Sequence, residues 1–210
     1  MISKKFQGLI LFISLFLVGV ILIIIGVDYY FSAEKRKIEE SNKEELKTIS
    51  DLKIKEISAW FSDEIYDAGI ISNGFMFARS VNAWAKSEST ESLNDLIKLI
   101  EQVNIEHGYH SLTILSPDLV HFVTSDNGMD HIDSATINLS RHVLATKTVC
   151  SSDLYKCPRN GQIFIDFIAC VFNENREPVA VAIFRHDPEN FLYPLLENWP
   201  VPSPTSETLM

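Results

Sequence analysis

The feature that most constrains this chain is an uncharged, apolar run near its N-terminus, from Gly8 to Val27. These 20 residues would form a helix about 30 Å long, which matches the hydrocarbon thickness of a bilayer. Lys4 and Lys5 precede the run and Asp28 follows it. The positive-inside rule then predicts that residues 1–7 are cytoplasmic and that everything after the run lies outside the cytoplasm. The sequence therefore predicts a single-pass inner-membrane protein whose C-terminal domain is periplasmic.

A cleaved signal peptide is the main alternative to this uncleaved anchor. The apolar region of a signal peptide normally has about 7–15 residues and ends in small residues at the cleavage site. Here the run is longer, and a cut after Ala33 would place Phe31 where a small residue is needed. The sequence favours the uncleaved anchor.

The part of the chain after the anchor is acidic. Without Lys4 and Lys5, 16 basic residues face 28 acidic ones, a net charge of −12. Such a surface does not favour nucleic acid or anionic lipid as a partner. The remaining length of about 180 residues suits one domain of ordinary size.

A long helix is expected to leave the membrane. Residues 28–45 are charged and free of Pro and Gly, which predicts a helical stalk that continues as far as Gly74. Lys53 and Glu64 fall on the same helical arc as the apolar residues. They are expected to be buried as a pair, to meet polar groups of the packed domain, or to reach solvent at the edge of the stripe. The apolar arc consists of Leu46, Ile49, Ile57, Trp60, Phe61, Ala68 and Ile71.

The rest of the chain alternates helices with pairs of strands. Ser92 is predicted to cap the second helix and Gly108 to end it. Sequential antiparallel strands with helices packed on them indicate an α+β domain over residues 46–199, followed by a Pro-rich linker at 200–210. The predicted elements are helix 92–106, strands 112–115 and 120–124, helix 134–147, strands 162–172 and 179–184, and helix 189–198.

Two stretches resemble Cache-type extracellular sensors. The pattern Leu52-x-x-x-Glu56-Ile57-x-x-Trp60-Phe61 is similar to the first helix of these domains. Residues 185–195, leading into 199–209, closely resemble the junction between the two halves of double Cache sensors, which precede histidine kinases and diguanylate cyclases. The resemblance covers residues 30–210. It implies a PAS-like fold, a curved antiparallel sheet with a ligand pocket on one face and the long helix packed along it.

The same resemblance implies a longer receptor. A second PAS-like module, a second membrane helix and an output domain would follow, so residues 200–210 are interpreted as the linker into a missing second module. The expected function is then signal input for a truncated sensor histidine kinase or diguanylate cyclase, with homodimerisation implied. The alternative is a free-standing, membrane-anchored interaction or dimerisation module of the cell envelope. No kinase, cyclase or hydrolase motif is present, and we predict that the chain is not an enzyme.

Two charges in otherwise apolar strands are the candidate ligand-binding residues. Asp166 lies within the strand 162–172, and Arg185 closes the strand 179–184. A buried charge is costly unless it is paired or bound to something polar. The two side chains could hold an amino or carboxylate group of a small polar ligand. The alternatives are a mutual salt bridge or exposure to solvent. The tyrosine–arginine–tryptophan signature of amino-acid-binding double Cache domains is not recognisable, so the ligand class stays open.

The cysteines and histidines complete the sequence predictions. Cys150 and Cys157 flank the polar segment 151–156 and are predicted to form a disulfide across a short hairpin, with three unpaired thiols as the alternative. Cys170 is expected to be a buried thiol. The six histidines lack metal-site spacing and are expected on the surface, so neither a metal nor another cofactor is predicted.

Overall fold

The computed structural model describes residues 4–87, 89–126 and 132–198. The predicted linker at 200–210 and part of the predicted loop at 125–133 lie outside the described residues. By its internal contacts the chain divides into two units, residues 1–52 and 53–210.

Helix α1, Lys4–Asn73, contributes to both units. Within the described residues, the segment that begins at Leu15 is the one helix long and apolar enough to cross a membrane. Its apolar side chains up to Phe31 are largely exposed, as expected for a helix that contacts lipid. A membrane anchor and a signal sequence share this property, so the predicted span at 8–27 stays a prediction.

The second unit opens with three helices in succession. After α1 ends at Asn73, helix α2, Phe75–Ser87, follows and buries Phe77 and Val81. Helix α3, Thr90–His107, ends at Gly108, whose left-handed backbone (φ 70°) is the conformation that glycine adopts without steric cost. The prediction of Ser92 as the cap of this helix was wrong. The Oγ of Ser89 accepts the hydrogen bond from the Ser92 backbone N–H, and the helix begins a residue later.

An antiparallel sheet forms the centre of the domain. The strands are β1, Ser111–Leu115; β2, Phe122–Thr124; β3, Cys150–Ser151; β4, Tyr155–Lys156; β5, Ile163–Phe172; and β6, Pro178–His186. They lie in the order β2, β1, β6, β5 and β3, and β4 pairs with a separate part of β5. The tight turn after β1 matches the predicted strand pair, with the Leu119 backbone N–H donating to the Ser116 carbonyl at 2.9 Å.

The two faces of the sheet carry separate apolar clusters. One face packs against residues of α1, α2 and α3, including Trp60, Phe77 and Ile100. The other face packs against α4, Ser134–Thr146, through Val143 and the adjoining strand residues. A last short helix, α5, spans Leu192–Glu197. The prediction of an α+β fold, with an apolar N-terminal helix followed by an antiparallel sheet, is confirmed.

The predicted disulfide does not form in this structure, in which Cys150, Cys157 and Cys170 are free thiols. Cys150 on β3 lies opposite Ile168 of β5, whereas the Cys157 backbone N–H donates to the carbonyl of Gln162. Ile168 and Gln162 are six residues apart along the chain, which is about 20 Å at 3.3 Å per residue of strand. A disulfide requires Cα atoms within about 7 Å. The hairpin prediction was wrong because β3 and β4 both pair with β5 instead of with each other.

Candidate functional site

Asp166 and Arg185 form a buried ion pair in the middle of the sheet. The register of β5 and β6 places the two residues directly opposite each other. Arg185 Nε donates to Asp166 Oδ1 at 2.9 Å, and Nη2 donates to Oδ2 at 3.2 Å. The side chains are 0% and 1% exposed. Two parallel N–H···O bonds are the geometry in which an arginine and a carboxylate interact most strongly.

This pair lies on the face of the sheet that α4 covers. Side chains alternate between the two faces of a strand, so Asp166 points to the same side as Ile168, and Arg185 to the same side as Ile183. Both isoleucines belong to the cluster packed on α4. The pair is therefore separated from α1 by the sheet itself.

Three further residues bind Asp166. The Tyr155 hydroxyl donates to Oδ2 at 2.8 Å, and the Thr136 hydroxyl donates to the same oxygen at 3.1 Å. The backbone N–H of Asp166 donates to the Ser152 Oγ, and the Ser152 N–H returns a bond to the Asp166 carbonyl. Through its carboxylate and its backbone, Asp166 thus joins α4, β4 and the β3–β4 connection.

Aromatic rings surround the guanidinium of Arg185. Its Cζ lies 5.2 Å from the ring centroid of Phe164 and 5.7 Å from that of Tyr155, within the range of a cation–π interaction. The ring of His110 lies 4.5 Å from that of Phe164, and its backbone N–H donates to the Arg185 carbonyl at 2.8 Å. The site thus combines one buried charge pair with the rings of Phe164 and Tyr155.

Burial controls the protonation of these groups. It raises the pKa of Asp166 to about 7, while the hydrogen bonds from Tyr155 and Thr136 act in the opposite direction. Burial also lowers the pKa of Arg185 to about 10, so the guanidinium is cationic at neutral pH. Burial and the neighbouring Asp166 carboxylate raise the pKa of Tyr155, which therefore remains a hydrogen-bond donor. Burial and the positive charge of Arg185 lower the pKa of His110.

The structure brings the two predicted site residues together. Asp166 and Arg185 form the mutual salt bridge that the sequence analysis gave as the alternative to ligand contact. Direct contact between either residue and a ligand stays a prediction. The sequence analysis missed Tyr155 and Thr136, which complete the network. Tyr155 lies in a two-residue strand that shows no alternation of polar and apolar residues. Thr136 was inside a predicted helix, but nothing in the sequence indicated which face would meet Asp166.

A concave surface lies away from this network, between the end of α2 and the β1–β2 turn. Its volume is about 440 Å³, and it is open to solvent. The Ser116 hydroxyl that lines it donates to the Asp118 carboxylate and thereby holds the turn closed. The lining residues are Trp84, Ala85, Ser116, Pro117, Asp118 and His121.

Comparison with known proteins identifies relatives of the fold. No family model matches the chain, and no curated protein sequence matches it. The ligand-binding domain of the Campylobacter jejuni chemoreceptor Tlp3, solved with L-norvaline, aligns with a TM-score of 0.53 at 12% identity, covering 74% of this chain and 63% of that one. The ligand-binding domain of the Pseudomonas fluorescens chemoreceptor CtaA, solved with L-alanine, aligns with a TM-score of 0.51 at 16% identity, covering 72% of this chain and 62% of that one.

The sensory domain of Tlp3 with isoleucine bound gives a similar result, a TM-score of 0.51 at 12% identity. The chain spans 62% to 64% of the length of these three solved domains. At these identities the shared property is the fold. The chain therefore shares the fold of these chemoreceptor ligand-binding domains.

Proposed function

We propose that this chain is the periplasmic, ligand-sensing module of a bacterial transmembrane receptor. The single observation that carries the proposal is the buried Asp166–Arg185 pair on the α4 face of a sheet whose fold is that of chemoreceptor ligand-binding domains. An apolar N-terminal helix long enough to cross a membrane accompanies it. The sequence resemblance to double Cache sensors favours a histidine kinase or a diguanylate cyclase as the receptor's output domain. The structural similarity to chemoreceptor domains favours a chemotaxis signal instead.

The proposed ligand is small and polar, and α-amino acids are the first candidates. The relatives were solved with L-norvaline, L-alanine and isoleucine. Asp166 offers a carboxylate for an ammonium group, and Arg185 offers a guanidinium for a carboxylate. The two side chains now satisfy each other, so a ligand that contacts them directly must rearrange the pair. That rearrangement would reduce the apparent affinity for the ligand.

A thermal-shift panel on the full chain in detergent tests this proposal. The panel contains the individual L-amino acids first, and then small carboxylates and small amines. A compound present at 100 times its Kd stabilises the domain by about 2.7 kcal/mol, which is readily measured as a rise in Tm. If no compound raises the Tm while near-UV circular dichroism shows a folded domain, the proposal is wrong.

Two variants locate the binding site once a stabilising compound is found. Asp166→Asn should abolish the compound's stabilisation because it removes the charge at the centre of the network. His142→Gln, on the exposed side of α4, is the matched control and should retain it. Equal stabilisation of both variants would place the ligand elsewhere on the domain.

The proposed topology has its own test. Residues 1–7 are placed in the cytoplasm and the folded domain in the periplasm, with residues 8–27 spanning the inner membrane. Alkaline phosphatase is active only after export, so its fusion to the C-terminus of the chain should be active. A fusion of green fluorescent protein at the same point should be dark if it is exported through the general secretory route. The reverse pattern would contradict the proposed orientation.

A further inference from the structure

The ion pair has direct neighbours on the opposite face of the sheet. Phe167 follows Asp166 in β5, and His186 follows Arg185 in β6. Consecutive residues of a strand point to opposite faces, so Phe167 and His186 face α1 while the pair faces α4. Their ring centroids lie 5.3 Å apart. The prediction that the histidines are surface residues was wrong for His186, whose side chain is 11% exposed.

Trp60 of α1 packs against both of these residues. Its ring centroid lies 5.9 Å from Phe167 and 6.0 Å from His186, in nearly perpendicular arrangements. On its other side it stacks on Phe191, just before α5, at 5.3 Å and 24°. Such aromatic pairs stabilise a fold by more than the burial of their apolar area alone. We call Trp60, Phe167, His186 and Phe191 the aromatic cluster.

Two polar contacts from the same side of α1 reinforce this cluster. Glu64 Oε2 lies 3.1 Å from His186 Nε2. About three helical turns before Glu64, the Lys53 ammonium donates to the carbonyls of Leu195 and Asn198 at the end of α5. This confirms one of the three predicted roles of Lys53 and Glu64, namely contact with polar groups of the packed domain.

We propose that the Asp166–Arg185 pair and helix α1 are energetically coupled through the aromatic cluster, so that a rearrangement of the pair changes the packing of Trp60. The physical reason is that a β-strand residue and its successor share a rigid peptide unit. A displacement of Asp166 or Arg185 therefore moves Phe167 or His186. Closely packed rings have no free volume to absorb such a displacement, so Trp60 must follow.

The coupling also acts in the reverse direction, because coupling between two sites is reciprocal. The packing of α1 at Trp60 then sets the geometry of the Asp166–Arg185 pair. On the proposed function, this makes the cluster a positioning element for the ligand site. Allosteric couplings typically change affinity by about 5-fold to 150-fold. The coupling itself is a property of the fold and can be measured without any ligand.

The experiment uses the full chain in lipid nanodiscs, labelled with ¹⁵N at tryptophan. The indole N–H signals of Trp60 and Trp84 are assigned with the corresponding Trp→Phe variants. Tyr155→Phe removes only the 2.8 Å hydrogen bond to Asp166, and Asp166→Asn removes the charge. Both should move the Trp60 signal beyond its line width. Trp84 lies outside the cluster, and its signal should not move.

Cys170→Ala is the matched control. Cys170 is buried on the same strand and the same face as Asp166, but the residues next to it are Ala169 and Val171, which are not members of the cluster. This variant should leave the Trp60 signal in place. If Asp166→Asn does not fold, the Tyr155→Phe variant alone tests the coupling.

Two results would overturn the coupling. One is a Trp60 signal that stays at its wild-type position in the folded Tyr155→Phe and Asp166→Asn variants. The other is an equal displacement by Cys170→Ala, which would show a general response of the core. The ligand panel is a separate experiment, so a failure of the coupling leaves the proposed function standing. A failure of the ligand panel likewise leaves the coupling standing, because the variants are compared without ligand.

Discussion

The Asp166–Arg185 pair shows what a buried charge requires in order to persist. Removing two ions from water is expensive, and the attraction between them offsets this only with good geometry and further hydrogen bonds. Here the Asp166 carboxylate accepts bonds from the Arg185 guanidinium and from the Tyr155 and Thr136 hydroxyls. The pair is thus satisfied as a unit, and the loss of either member leaves the other charge buried without its main partner.

Arg185→Met should destabilise the domain strongly. Breaking a buried pair by removing one partner costs about 3–5 kcal/mol, which corresponds to a fall in Tm of roughly 10 °C for a domain of this size. The measurement is thermal or chemical unfolding of the full chain in detergent, followed by near-UV circular dichroism. It should be made at pH 8, above the pKa of about 7 that burial gives Asp166 in the intact domain, so that the pair is charged in the wild-type reference.

The double variant Asp166→Val/Arg185→Met is the matched control. Replacing both charges with apolar side chains removes the unpaired ion, and such replacements are often neutral or stabilising. The double variant should therefore be more stable than Arg185→Met alone. If the double variant instead loses as much free energy of unfolding as Asp166→Val and Arg185→Met lose together as single variants, the two residues do not interact energetically.

At the scale of elements, long and strongly patterned segments could be predicted from the sequence, and short ones could not. Strands β5 and β6 were predicted to within two residues because a continuous apolar run has few alternatives. Helix α2 was missed, although Phe77, Val81 and Trp84 have the helical spacing that would have revealed it. Strands β3 and β4 have two residues each and form only because β5 offers them a partner. Sequence patterns carry no signal for such pairing, and the disulfide prediction failed for this reason.

The separation of β3 and β4 along β5 predicts three free thiols in the exported protein. Protein denatured and alkylated without reductant should carry three modifications at Cys150, Cys157 and Cys170. Cys150→Ser should leave the Tm nearly unchanged, whereas removing a native disulfide from a small domain typically costs about 2–5 kcal/mol. A single alkylation, with two thiols protected until reductant is added, would contradict the observed register.

At the scale of the whole molecule, the end of α1 and the start of α2 expose large apolar side chains. Tyr66 and Ile70 of α1 are 68% and 51% exposed, and Phe75 and Met76 at the start of α2 are 69% and 66% exposed. Exposed apolar groups that lie close together mark interaction surfaces more often than isolated ones do. The net charge of the chain, −10, opposes non-specific association. The homodimer that the sequence resemblance implies stays a prediction, and these exposed residues are the surface at which it can be tested.

A homodimer through this surface predicts position-specific crosslinking. Full chain carrying Tyr66→Cys should form a disulfide-linked dimer in membranes under mild oxidation, because a residue near the axis of a two-fold symmetric interface meets its own copy. Lys98→Cys, exposed on α3, is the control and should crosslink much more slowly. Both variants are made in a Cys150→Ser background, since Cys157 and Cys170 are buried and Cys150 is not. Equal rates at the two positions would indicate random collision in the membrane, and the dimer would then have to use another surface or not form.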